Sequence, residues 1–254
     1  MITTCLFFLG LLRGAMQAPS PPTDSALAGI TARGRAIVAY DIAAWHGTDA
    51  VMALKPTRPI SASIARQNST GRWEVLFGQL AASNDTMYVH YSATQTAGDS
   101  VFAGRDHQPS LAVTGSAPRM AAATRTAVAA FGTFTRQYNA YVFPAIPSGF
   151  WVYLLPAQTS FEEFPHGADV RYWIDSTGTR VLGSHRFHQA ILNQAYRPNA
   201  VASMHTSFDS LPSETDVFMV LRRYPRLPEL IATEHYHYEI RLDGTILWRR
   251  AKAP

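Results

Sequence analysis

Cysteine is almost missing: Cys5 is the single thiol in 254 residues. Two half-cystines are needed for a bridge, so the chain can close no disulfide on itself, and a cysteine-ligated metal cluster is excluded. Charge is also scarce, at 16% of residues with a formal net charge of +4. No Lys/Arg block concentrates it, so nucleic acid is not inferred as a partner. Beyond the N-terminus no apolar run reaches the 18 or so residues that a membrane span needs, which excludes a polytopic membrane protein. The glycine-rich phosphate and dinucleotide loops, the Gly-x-Ser-x-Gly elbow and the His-Glu-x-x-His zinc helix are all absent. What the chain does have is apolar residues, 47% of the total, enough to bury a core. The length suits one large domain or two small ones.

Residues Cys5 to Leu12 form a short apolar run, followed by Ala15-Met16-Gln17-Ala18 and a Pro/Ser stretch. An apolar core followed by small residues at alternate positions reads as a signal peptide over residues 1–18, with no basic residue preceding it. Cleavage after Ala18 would remove Cys5 and leave a secreted or periplasmic chain without a thiol.

From Ser25 to Leu54, apolar residues recur at near-helical spacing and Pro56 stops them, predicting a helix, with Gly34 as the place where it could break. Residues 72–77 and 86–91 read as two antiparallel strands, and 97–117 as loop. The Ala-rich stretch 118–138 predicts a second helix. Strands are expected over 140–146, 150–155, 170–174 and 180–182, the last two joined at Asp175-Ser-Thr-Gly178. A short helix at 188–193, a strand at 201–205, a helix at 213–224, a strand at 229–233 and a hairpin over 236–248 turning at Asp243-Gly244 complete the pattern. The order predicts an α+β fold with a mixed sheet flanked by helices. Its N-terminal region covers residues 19–117 and a compact unit residues 118–254.

Residues 203–216 contain Ser203-Met204-His205-Thr206, a loop ending in Pro212, and Ser213-Glu214-Thr215-Asp216. A strand end delivering His205, followed by a helix capped by Ser213, places Asp216 in the first helical turn facing back toward the strand. His205 and Asp216 can then share one divalent ion, with Ser213 near a substrate oxygen. This run resembles the JAB/MPN metalloprotease family, whose signature is His-x-His-Pro, a loop, and Ser-x-x-Asp. His205 falls on the second histidine, Pro212-Ser213 on the Pro-Ser pair and Asp216 on the aspartate. Ser203 stands at the first histidine and Thr206 at the proline. The resemblance covers about 50 residues and implies a JAB-like C-terminal half, a zinc ion and an upstream glutamate as general base, for which Glu163 and Glu74 are the candidates. Residues 139–175 also resemble uncharacterised exported bacterial proteins that share a Tyr-Leu-Leu-Pro, Gly-x-Asp and Asp-x-x-Gly run.

With Ser203 in place of a ligand, another histidine could complete the site if the fold brings it near His205. His235 and His237 alternate on a predicted strand and share a face, as do His185 and His188 on a predicted helix. In each case ordinary packing is the competing reading. Two functions follow. The first is a non-catalytic exported module binding a protein or peptide partner, placed first because two-ligand zinc sites are uncommon. The second is a zinc-dependent amide hydrolase of the cell envelope. A further imidazole beside His205 would argue for the hydrolase.

Overall fold

The computed structural model describes residues 20–160, 163–195, 197 and 199–251, so the predicted signal peptide and Cys5 lie outside the described residues. Helix α1 (Asp24–Met52) begins where the Thr23 side chain accepts the Ala26 amide, with Asp24 in its first turn favouring the positive helix end. Leu27, Ile30, Gly34, Ile37 and Tyr40 recur at spacings of three and four and are all buried. The first meander, β1 (Ala62–Gln67), β2 (Trp73–Leu80), β3 (Met87–Ala97) and β4 (Val101–Val113), packs against the C-terminal part of this helix. Residues 97–117, expected as loop, instead contain β4. This strand lies at the sheet edge and is mostly solvent-facing, so its sequence shows no apolar alternation to betray it.

Helix α2 (Ser116–Phe131) stops at Gly132, earlier than the predicted Tyr138, which already belongs to β5 (Tyr138–Pro144). Strand β5 pairs with β6 (Phe150–Pro156), β6 with β8 (Val170–Ile174), and β8 with β9 (Val181–Arg186), all antiparallel. The expected Asp175–Gly178 turn joins β8 to β9 through the Gly178 amide and the Asp175 carbonyl, 3.0 Å apart. The helix predicted over 188–193 does not form. Strand β10 (Ile191–Ala195) runs there and pairs with β7 (Glu163–Gly167), which no sequence pattern announced. The last sheet runs β11 (Ser203–Thr206), β12 (Glu229–Ala232), β13 (Tyr236–Ile240) and β14 (Ile246–Arg250), with α3 (Glu214–Arg222) between β11 and β12. The β11–β12 pair is parallel and the others antiparallel, so the sheet is mixed and the fold is α+β, as expected.

One buried cluster joins Ile37, Val75 and Tyr91 to Ala123, Val152 and Phe218, crossing the boundary drawn at residue 117. A second joins Leu27 and Ile30 to Val217, Ile231 and Ile240. Helix α1 therefore serves both clusters. No helix among the described residues is long and apolar enough to cross a membrane.

Helix α1 runs unbroken through Gly34, where it contacts α3. A Cβ there would lie 2.5 Å from Val217 Cβ and 2.8 Å from the Glu214 carbonyl oxygen. Gly34→Ala must push the helices apart and is expected to destabilise the protein by about 1–3 kcal/mol, the usual cost of overpacking. Denaturant titration measures this; an unchanged midpoint would show that the two helices separate freely.

Candidate metal centre

Three imidazoles and one carboxylate meet where β7, the β9–β10 connection, β11 and the start of α3 come together. His166, His188, His205 and Asp216 each offer one ligand atom, and all four atoms lie within 4.8 Å of one another. Asp216 Oδ1 is the common point: His166 Nε2 is 3.0 Å away, His188 Nε2 3.2 Å and His205 Nε2 3.5 Å. The three rings pack edge to face, with centroids 4.8 to 5.4 Å apart.

Local chemistry fixes each group. Asp216 stands in the first turn of α3 because Ser213 caps that helix in a reciprocal box. The Ser213 hydroxyl accepts the Asp216 amide, while Asp216 Oδ2 accepts the Ser213 amide and hydroxyl, both at 2.8 Å. Oδ2 is thereby engaged and Oδ1 faces the histidines. Strand β11 directs His205 inward and leaves Met204 outside. His205 Nδ1 donates to Glu229 Oε1 at 2.8 Å. Glu229, fully buried on β12, also takes the Ser203 hydroxyl and Arg223 Nη1 on its other oxygen. His188 Nδ1 donates to Asp169 Oδ1 at 2.7 Å. Such imidazole-to-carboxylate contacts orient metal-binding histidines and raise their basicity.

These contacts also decide where the lone pairs point. With the Nδ1 protons of His188 and His205 facing carboxylates, their neutral tautomers aim bare Nε2 lone pairs at a carboxylate oxygen. His205 Nε2 is buried and has no hydrogen-bond partner. Acceptors converging on an acceptor need positive charge between them, which a proton or a cation supplies. Burial disfavours charge on His188, but hydrogen bonds and the negative charges of Asp169 and Asp216 outweigh it and raise its pKa to about 10. Burial likewise opposes ionisation of Asp216, yet the hydrogen bonds from His166 and His188 hold its carboxyl well below the usual range. Glu229 is also held low, by His205 and Ser203 acting against burial.

The four donors could hold a metal ion. A tetrahedral zinc with bonds of about 2.0–2.1 Å has ligand atoms about 3.3 Å apart, and the three nitrogen-to-oxygen separations of 3.0, 3.2 and 3.5 Å straddle that length. Compared with protein-family models, with curated proteins and with solved structures, the chain matches none.

His205 and Asp216, paired from their spacing, do converge. His188 joins them, although it was paired in sequence with His185 on a helix. His185 instead lies on β9 and faces Asp209 at 3.1 Å. His166 was not anticipated: it sits in a Pro-His-Gly run on a five-residue strand too short to show periodicity. The structure does not bring His235 or His237 into the cluster. Tyr236 and Tyr238 turn inward on β13 and leave His237 on the opposite face, while the half-exposed His235 lies 3.6 Å from Glu234. Ser203, at the position of the family's first histidine, supports Glu229. The Ser213 hydroxyl is engaged by Asp216 and Thr215. Glu163 is exposed at the start of β7, and Glu74 pairs with Arg66 on the first meander.

Proposed function

We propose that this protein is an exported zinc-binding module in which His166, His188, His205 and Asp216 clamp the ion in a closed shell, and that its outer surface engages a protein or peptide partner. The observation that carries the reading is the burial of a complete four-donor set. The His166, His205 and Asp216 side chains are at most 5% exposed and His188 is 13% exposed. Four protein ligands without an open position are the pattern of structural zinc, whereas catalytic zinc keeps one position for water. Three imidazoles with one carboxylate suit zinc among the available divalent ions. The export assignment draws on the apolar run and small residues before Ala18. The strand, loop and capped helix carrying His205, Ser213 and Asp216 support the JAB/MPN resemblance, with His166 and His188 replacing the histidine that Ser203 lacks.

Zinc-dependent amide hydrolysis is the second reading. It is favoured by the greater exposure of His188 and by an open cleft of about 340 Å³, lined in part by Arg33, Arg171, Asp209, Ser213 and Glu214, that reaches the helix cap holding Asp216. In that case a bound zinc would acidify a water and polarise the amide carbonyl. The extra imidazoles meet the first requirement for this chemistry, a sufficient ligand set; the closed shell does not meet the second, an open position.

Metal analysis of the purified protein is expected to find one zinc per chain, falling to near zero in His205→Ala. Absence of metal affinity in the intact protein would sink both readings. Cobalt-substituted protein titrated with azide separates them: an unchanged visible spectrum supports the closed module, and a saturable shift supports the hydrolase.

A further inference from the structure

We infer that Asp169 is a shared positioning carboxylate for the centre, holding His188 directly and His166 through one buried water. This rests on the metal-centre reading. Among the described residues, Asp169 Oδ2 and His166 Nδ1 are buried polar atoms without a protein partner. Either one left unsatisfied carries the full desolvation penalty of a buried polar group. Both residues line the same small cavity, about 20 Å³ in volume, whose other walls are largely apolar: Leu155, Phe164, Phe218 and Met219. A water needs about 10–15 Å³ of such space and at least two polar partners. The cavity has the volume, and the two orphan atoms, on residues that both line it, would be the partners. His166 Nδ1–H donates to the water and the water donates to Asp169 Oδ2, which leaves His166 Nε2 for the ion. Each imidazole then ends on a carboxylate: His205 on Glu229, His188 on Asp169, and His166 on Asp169 through the water.

The backbone supports this assignment. His166 and Asp169 are joined by Gly167, at φ +94°, and Ala168, at φ +51°. A side-chain-bearing residue in the left-handed region is uncommon and strained, and such strain persists where the surroundings enforce it. Tyr138 Oη donates to the Ala168 carbonyl at 3.1 Å and holds the turn. A Cβ on Gly167 would lie 2.2 Å from the Ala190 carbonyl oxygen, so the turn is pressed against the segment carrying His188. The tight reversal returns Asp169 to the side of the chain occupied by His166, and both are almost fully buried.

A high-resolution crystal structure of the wild-type protein is expected to show one ordered water within hydrogen-bond distance of His166 Nδ1 and Asp169 Oδ2. Nitrogen NMR is expected to find His166 protonated at Nδ1. Zinc competition with a chromophoric chelator is expected to show a 10- to 100-fold loss of affinity in Asp169→Asn and none in Asp209→Asn, whose carboxylate serves only the exposed His185. A dry cavity, or protonation of His166 at Nε2 in the zinc-loaded protein, overturns the inference even if zinc binds normally. If the wild-type protein binds no zinc, the metal reading fails by itself, and the inference is read from the water alone, because without an ion His166 Nε2 donates to Asp216 Oδ1 and the water donates to Nδ1. The structure and the NMR use the intact chain, so the inference stays testable if the Asp169 variant does not fold.

Discussion

On the proposed zinc-module reading, a chelator is expected to lower the unfolding temperature by about 8–16 °C, and stoichiometric zinc is expected to restore it. The size follows from linkage. An ion that binds only the folded chain, at a free concentration a thousand times its dissociation constant, adds about 4 kcal/mol. Each kcal/mol shifts the transition of a chain this long by about 2–4 °C. The effect is global because the four ligands come from β7, the β9–β10 connection, β11 and α3, and His166 and Asp216 are 50 residues apart in sequence. The fold is expected to survive removal of the ion, because a proton on His188 partly replaces its charge. Calorimetry with and without chelator measures the shift, and overlapping transitions would show that the centre contributes nothing to stability.

Glu229→Gln is expected to destabilise the protein by about 3–5 kcal/mol and to weaken zinc binding by about 10- to 100-fold. Glu229 is fully buried, and its two oxygens receive three donors: His205 Nδ1, the Ser203 hydroxyl and Arg223 Nη1. Glutamine keeps the shape but removes the charge that pairs with the buried Arg223 guanidinium, and removing one partner is the costly way to break a buried pair. Its amide NH₂ also presents a donor to at least one of the donors that Glu229 accepts. The loss of affinity follows from His205, whose tautomer no longer has a carboxylate to fix it. Adding Arg223→Met removes the other member of that pair and is expected to recover part of the stability while zinc affinity stays low. Recovery of both together would mean that Glu229 acts on the ion only through the general stability of the fold.

The elements legible in the sequence were those whose side chains divide cleanly between core and solvent. Helix α1 was visible because Leu27, Ile30, Ile37 and Tyr40 form a stripe, and the β8–β9 and β13–β14 hairpins because their turn residues punctuate alternating strands. Strand β4 was not legible because it is an exposed edge, nor was β7, where Pro165 and Gly167 flank His166. The segment after His188 reads as helix in the sequence because its short apolar pattern does not separate a helical turn from a strand, and pairing with β7 decides the matter.

The centre divides in the same way. Ser213 and Asp216 form a local capping box, and His205 precedes them by a single loop, so one ligand pair follows from chain order and helix-end chemistry. His166 and His188 carry no comparable local signal. Their place beside Asp216 depends on β7 pairing with β10 and on two sheets closing around α3, contacts between segments far apart in the chain. The sequence by itself determined the half of the site held within one strand, one loop and one helical turn. Only the tertiary structure decided the other half, because long-range pairing, unlike capping, leaves no fixed spacing between the residues it brings together.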